Sequence, residues 1–208
     1  MSRFSTPRPG ARHAAPVMAR AVAWLAVAAV AAAGCGAAGG KAAQDSQGGS
    51  GGQAGAVGIT SFPAGHRPAV PQVSGAALTG EHLQLSDYRG RVVVLNFWAS
   101  WCELCRAEAP VLARLSRSYQ ARGVQFIGID VNDARASAEA FERRYGIGYP
   151  SLYDPSAGTE LEFGRLIPPA IPDTLVLDRT GHVAGRVIGR VTYSGLKHLL
   201  DQALSSAS

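Results

Sequence analysis

Cys102 and Cys105 stand three apart in the segment Trp101-Cys102-Glu103-Leu104-Cys105. Two cysteines at that spacing, placed where a helix begins, can close a small disulfide with little backbone movement. The first thiol then sits where unpaired helical N–H groups and the helix dipole favour a thiolate. At such positions a cysteine pKa falls to roughly 3.5–7.5, which makes the sulfur a nucleophile near neutral pH. Cys105, one turn inward, is suited to resolving a mixed disulfide. An inert staple would not need a strand-then-helix placement. A tetrahedral metal site would need two more ligands, yet the third cysteine of the chain is the remote Cys35, and His66 and His82 are distant in sequence. The pattern favours redox chemistry that uses no metal and no cofactor.

The surrounding elements must hold that pair. Residues 91–98, Arg-Val-Val-Val-Leu-Asn-Phe-Trp, form a nearly continuous apolar, β-branched run, as expected of a strand buried on both faces. Leu104, Ala107, Val111, Leu115 and Tyr119 then recur at helical spacing with charged residues between them. Strands are expected at 124–130 and near 150–153, and helices at 134–144 and near 156–163. Residues 174–178 and 183–188, joined by Arg179-Thr-Gly181, read as an antiparallel pair. An apolar stripe from Leu196 to Leu204 closes the chain as a helix. Before the buried strand, Ala77–Leu78 and Leu83–Leu85 joined through Gly80 read as a hairpin. This alternation predicts an α/β domain with a central mixed sheet covered by helices on both faces.

The rest of the 208 residues concerns delivery. The net charge is +5, but residues 1–34 carry Arg3, Arg8, Arg12 and Arg20 and no acid, which leaves sixteen basic residues against fifteen acids. A nucleic-acid surface loses its support. A basic stretch followed by thirteen apolar residues, 21–33, matches a secretory signal peptide and is short for a membrane span of about 20 residues. Residues 1–34 are therefore expected to be an export leader. Residues 36–65 hold ten of the 25 glycines, a composition that predicts a flexible tether over 35–66, with a reach of roughly 30 Å. Residues 67–208 remain to fold as one domain.

Two resemblances add to this reading. Ala-Ala-Gly34-Cys35 resembles the lipobox of bacterial lipoproteins, which implies acylation of Cys35; Ala32 stands where that motif usually has Leu. Ordinary cleavage nearby would leave Cys35 a free thiol in the tail. Residues 94–110, Val-Leu-Asn-Phe-Trp-Ala-Ser-Trp-Cys-Glu-Leu-Cys-Arg-Ala-Glu-Ala-Pro, resemble the active-site block of thioredoxin-like proteins, most closely the extracytoplasmic TlpA/ResA-type branch. The likeness extends over most of 71–203. It implies a thioredoxin-like fold with an N-terminal β-hairpin and an inserted helix and strand between Asp130 and Asp173.

The resemblance also assigns residues. Ile171-Pro172 lies where thioredoxin-like proteins place a cis-proline facing the cysteines, so Ile171 would present its backbone to an extended substrate. Glu108 matches a glutamate that this branch keeps near its site, in position to manage protons on Cys105; on its helical position alone it reads equally as an exposed carboxylate. Asn96 stands where thioredoxins often keep a buried acid, and reads here as a hydrogen-bonded core amide. Trp98 and Trp101 are expected to pack around the disulfide. Leu104 replaces a frequent proline, and Asp173 replaces a small hydroxyl residue, adding negative charge beside the site.

These readings converge on a thiol-disulfide oxidoreductase tethered to the outer face of the bacterial cytoplasmic membrane, or secreted if Cys35 is not lipidated. Cys102 attacks, Cys105 resolves, and sequence leaves the direction of electron flow open. The branch implies reduction of disulfides in exported proteins, apocytochrome c among the candidates, with electrons from an integral-membrane thiol donor. An oxidant of exported thiols and a non-catalytic binding lipoprotein are the competing readings. A peroxide-reducing enzyme would show a single peroxidatic cysteine in place of the pair.

Overall fold

The computed structural model describes residues 58–206. The expected leader, Cys35 and the glycine-rich stretch as far as residue 57 lie outside the described residues. The apolar run of 92–98 becomes strand β4 (Val92–Trp98), and all seven of its residues are buried. Helix α1 (Glu103–Gln120) carries the chain to β5 (Val124–Val131), which lies parallel to β4. Helix α2 (Arg135–Tyr145) leads to β6 (Ser151–Asp154), parallel to β5. On the other side of β4, β7 (Asp173–Leu177) and β8 (Val183–Ile188) run antiparallel, and β1 (Gly58–Ser61) pairs with β8 at the edge. The order across the sheet is β1-β8-β7-β4-β5-β6.

Period-two alternation divides β4 between two layers. Val92 and Val94 join Leu112, Leu115 and Tyr119 of α1 and the apolar stripe of α4 (Tyr193–Ser205). Val93, Leu95 and Phe97 face the opposite layer, where Phe163 and Ile167, just beyond the short helix α3 (Gly158–Glu162), cover them. The Phe97 and Phe163 rings meet edge to face with centroids 5.1 Å apart. Each fully buried aliphatic side chain contributes about 1.5–3 kcal/mol, so these layers fix the position of everything at the end of β4. The expected mixed sheet with helices on both faces is what the chain forms.

Two boundaries differ from the sequence reading. The hairpin exists as a separate two-stranded sheet, β2 (Ser74–Ala76) and β3 (His82–Gln84), a few residues earlier than expected. Ordered structure is present ahead of Arg67, because Gly58–Ser61 pair residue for residue with Gly185–Ile188. The expected tether therefore cannot run to residue 66. Composition hides this strand: its four residues begin with a glycine at the end of a glycine-rich run, and distant partners order them, through backbone pairing to β8 and the Ser61 hydroxyl donating to Gln202.

Candidate functional site

β4 ends at Trp98, and a turn through Ala99–Trp101 delivers Cys102 to the N-cap of α1. Its Sγ accepts the N–H of Cys105 at 3.1 Å, one of the helix's otherwise unpaired donors. The two cysteines are joined in a disulfide with Cα atoms 5.2 Å apart. Cys102 retains 6% exposure and Cys105 only 1%, so a partner reaches the first sulfur before the second. Both lie in a cluster with Trp98, Ala109, Ala138 and Phe141, where the Trp98 and Phe141 rings stack at 4.4 Å.

The sheet brings Ile171 and Pro172 to the same place. The Ile171–Pro172 peptide bond is cis, as its position before the hairpin strand led us to expect. Ile171 is partly buried against the cluster that holds both cysteines. Leu104 and Trp101 are each about half exposed beside them. Trp98 packs around the disulfide as expected, whereas Trp101 lies outward with its indole Nε1–H donating to the carbonyl of Asn132 at 3.0 Å.

Glu108 is not a surface carboxylate. It lies one turn beyond Cys105, is 1% exposed, and accepts from Asn96 Nδ2 at 2.8 Å and from the Val191 N–H at 2.8 Å. Burial pushes its carboxyl up to about 7 despite those two donors. Asn96 also donates to Thr174 Oγ1 at 3.1 Å, so it is the bonded core amide that the sequence suggested. Asn96 and Cys105 line one small internal cavity beneath α1. Asp173 is buried beside the site as expected, and its charge helps to raise the Glu108 carboxyl; it accepts from Gly189 N–H at 3.0 Å, and burial pushes its own carboxyl up to about 7. It adds less negative charge than its residue type implied.

Three residues at the end of β5 and in the loop that follows it escaped the sequence reading. Asp133 accepts the backbone N–H of Ser100 through Oδ2 and that of Ala134 through Oδ1. Asn132 has φ 50°, in the left-handed region, and receives the Trp101 indole. Asp130 is fully buried, and burial together with the neighbouring Asp133 charge pushes it up to about 8. The usable signal was position: loops at the carboxyl ends of parallel strands are where α/β sheets build sites.

The sequence pattern of the AhpC/TSA family matches residues 67–186, more than half of the chain. The chain belongs to the AhpC/TSA family. Among curated proteins, the thiol-disulfide oxidoreductase ResA of Geobacillus thermodenitrificans is 32% identical over 124 residues, covering 60% of this chain and 70% of the relative. ResA of Bacillus subtilis is 30% identical over 115 residues, covering 55% and 63%. A secreted thiol-disulfide isomerase from Corynebacterium glutamicum has a TM-score of 0.67 at 31% identity, over 71% of this chain and 92% of that structure. A DsbF homologue from Corynebacterium diphtheriae has a TM-score of 0.65 at 32% identity, over 69% and 92%. This AhpC/TSA-family chain has the thioredoxin-like fold and is a thiol-disulfide oxidoreductase.

Proposed function

We propose that the chain works outside the cytoplasm, reducing disulfides of exported proteins through Cys102 and Cys105. The observation that carries this reading is the helix-capping position of Cys102, joined to a more deeply buried Cys105 with Glu108 one turn beyond. In the reduced enzyme the Cys102 thiolate attacks one sulfur of a client disulfide. A Cys102–client disulfide forms and the other client sulfur leaves as a thiolate. Cys105 loses its proton and attacks Cys102 Sγ, expelling the second client sulfur. The client gains two electrons and the pair ends oxidised. Glu108 and Asn96, beside the cavity that Cys105 lines, supply the polar surroundings for that proton loss. Ile171, packed against the cysteine cluster, and the exposed Trp101 next to Cys102 in the chain are the residues a bound client would meet.

Electrons to restore the dithiol come, in this reading, from an integral-membrane thiol donor. A lipid on Cys35 holds the domain near that donor, and apocytochrome c is one candidate client. Support comes from the export-type leader in the sequence and from the secreted relative.

The decisive measurement is the reduction potential of the Cys102–Cys105 pair, followed by tryptophan fluorescence in defined thiol buffers. A value near about −270 mV fits a reductase, and one near about −120 mV would make the chain an oxidant of exported thiols. Cys105→Ser in cells should accumulate mixed disulfides at Cys102, and their absence at any poise would remove the catalytic reading.

A further inference from the structure

An open groove runs beside the active-site turn, bounded by Ser100, Arg106, Ser137, Phe141, Arg144 and Tyr145. Two guanidinium groups line it and no carboxylate does. Arg106 Nε donates to the Ser100 carbonyl at 2.8 Å, which anchors the side chain at the cysteine end of the groove. Arg144 lies over the Tyr145 ring, 5.8 Å from its centroid. Four ion pairs form among the described residues, joining Arg67 to Asp178, Arg122 and Lys197 to Asp201, and Arg143 to Glu139. Neither groove arginine belongs to any of them. The acids nearby are otherwise placed: Glu139 pairs with Arg143, Asp133 holds two backbone N–H groups, and Glu103 lies outside the groove lining.

The floor of the groove is continuous with the redox centre. Phe141 stacks on Trp98, and both belong to the cluster that contains Cys102 and Cys105. Arg106 begins the turn after Cys102, its N–H donating to the Cys102 carbonyl at 3.2 Å. Four residues of helix amount to about 6 Å along the axis, and an extended client advances about 3.3 Å per residue. A client side chain about two residues from the attacked cysteine therefore reaches the level of Arg106, and Arg144 lines the same groove. A planar guanidinium matches a carboxylate in charge and in fork geometry.

We propose that this groove selects clients that carry a carboxylate close to the reactive disulfide. The proposal rests on the thiol-disulfide reading above and names a substrate class for it: anionic disulfides over neutral and cationic ones.

The test uses the reduced full chain and three small disulfides: glutathione disulfide (anionic), hydroxyethyl disulfide (neutral) and cystamine (cationic). Each takes two electrons from the dithiol, yielding two small thiols and the Cys102–Cys105 disulfide, read by tryptophan fluorescence. Comparing each variant with the parent for the same disulfide cancels differences in leaving-group chemistry. In Arg144→Glu, the ratio of the glutathione-disulfide rate to the hydroxyethyl-disulfide rate should fall about tenfold, and the cystamine ratio should rise, as expected of a reversed charge at a charge-assisted contact. In the unmodified chain, raising salt from about 0.02 M to about 0.5 M should lower the first ratio and raise the second. Unchanged ratios in both experiments overturn the groove and leave the redox reading intact. Failure of the unmodified chain to reduce even hydroxyethyl disulfide overturns the redox reading itself.

Discussion

Asp133 Oδ2 accepts the backbone N–H of Ser100 at 2.5 Å, across 33 residues of sequence. The contact ties the loop after β5 to the turn that presents Cys102. Its other oxygen accepts Ala134 N–H at the start of α2, and Tyr153 Oη donates to its carbonyl at 3.2 Å. One carboxylate thus joins two loops that share no secondary structure.

Asp133→Ala removes the acceptor and leaves the Ser100 N–H without its partner, at a cost of about 1–3 kcal/mol. We expect faster hydrogen exchange at Ser100 and slower reaction with hydroxyethyl disulfide. Asp133→Asn keeps one acceptor oxygen and should recover part of both. Equal behaviour of the two variants would show that the hydrogen bond does not hold the turn.

Glu108 sets a second expectation. Its carboxyl titrates at about 7 and lies one turn beyond Cys105. The closing of the Cys102–Cys105 disulfide, followed by stopped flow after mixing reduced enzyme with a small disulfide, should show an inflection near that pH. Glu108→Gln keeps size and burial but cannot titrate, so the inflection should disappear. An unchanged profile would assign the inflection to the cysteines alone.

Stability should follow the protonation of the buried acids. Glu108, Asp173 and Asp130 have folded values of about 7, about 7 and about 8, above their ordinary values of 4.5, 3.8 and 3.8. Between the ordinary and the folded value the native state holds more protons than the unfolded chain, so stability falls as pH rises through that window. For Glu108 alone the difference amounts to about 3 kcal/mol. Asp178 acts in the opposite sense: hydrogen bonds from Thr180 and Arg67 outweigh its partial burial and hold it at about 2, so its contribution is lost as pH falls below about 4. Thermal unfolding should therefore show the highest Tm between about pH 4 and 5 and a decline of several degrees by pH 8. A Tm that rises over that interval would contradict the buried positions of these groups.

Much of this was legible in the residues themselves. The nearly continuous apolar run of 91–98 and the helical spacing from Leu104 to Tyr119 are local signals, and both gave elements within a residue or two of their bounds. The cysteine spacing at a helix start and the Ile171-Pro172 position likewise pointed to residues that the fold brings together. What the sequence hid depends on distant partners. Glu108 looks like a helix-surface acid until Asn96, twelve residues earlier, and Val191, 83 residues later, are seen to donate to it. Asp133 reads as one more polar loop residue until Ser100 approaches it. The β1 strand depends on its pairing with β8, and no periodicity in four residues could reveal it.

Gly128, in the middle of β5, shows how tightly the sheet backs the redox centre. A Cβ built there would lie 2.6 Å from Trp98 Nε1 and against the Ser151 hydroxyl, closer than real side chains approach. Neither neighbour can move cheaply. Trp98 is stacked on Phe141 within the cysteine cluster, and Ser151 is buried on β6 directly opposite Gly128. Gly128→Ala should therefore cost about 1–3 kcal/mol, as overpacking does in other cores. Because the displaced group touches the disulfide cluster, the fluorescence change on reduction should also differ from that of the parent. A variant of parental Tm and parental fluorescence response would mean that Trp98 has room to shift, and that β5 does not fix the indole behind Cys105.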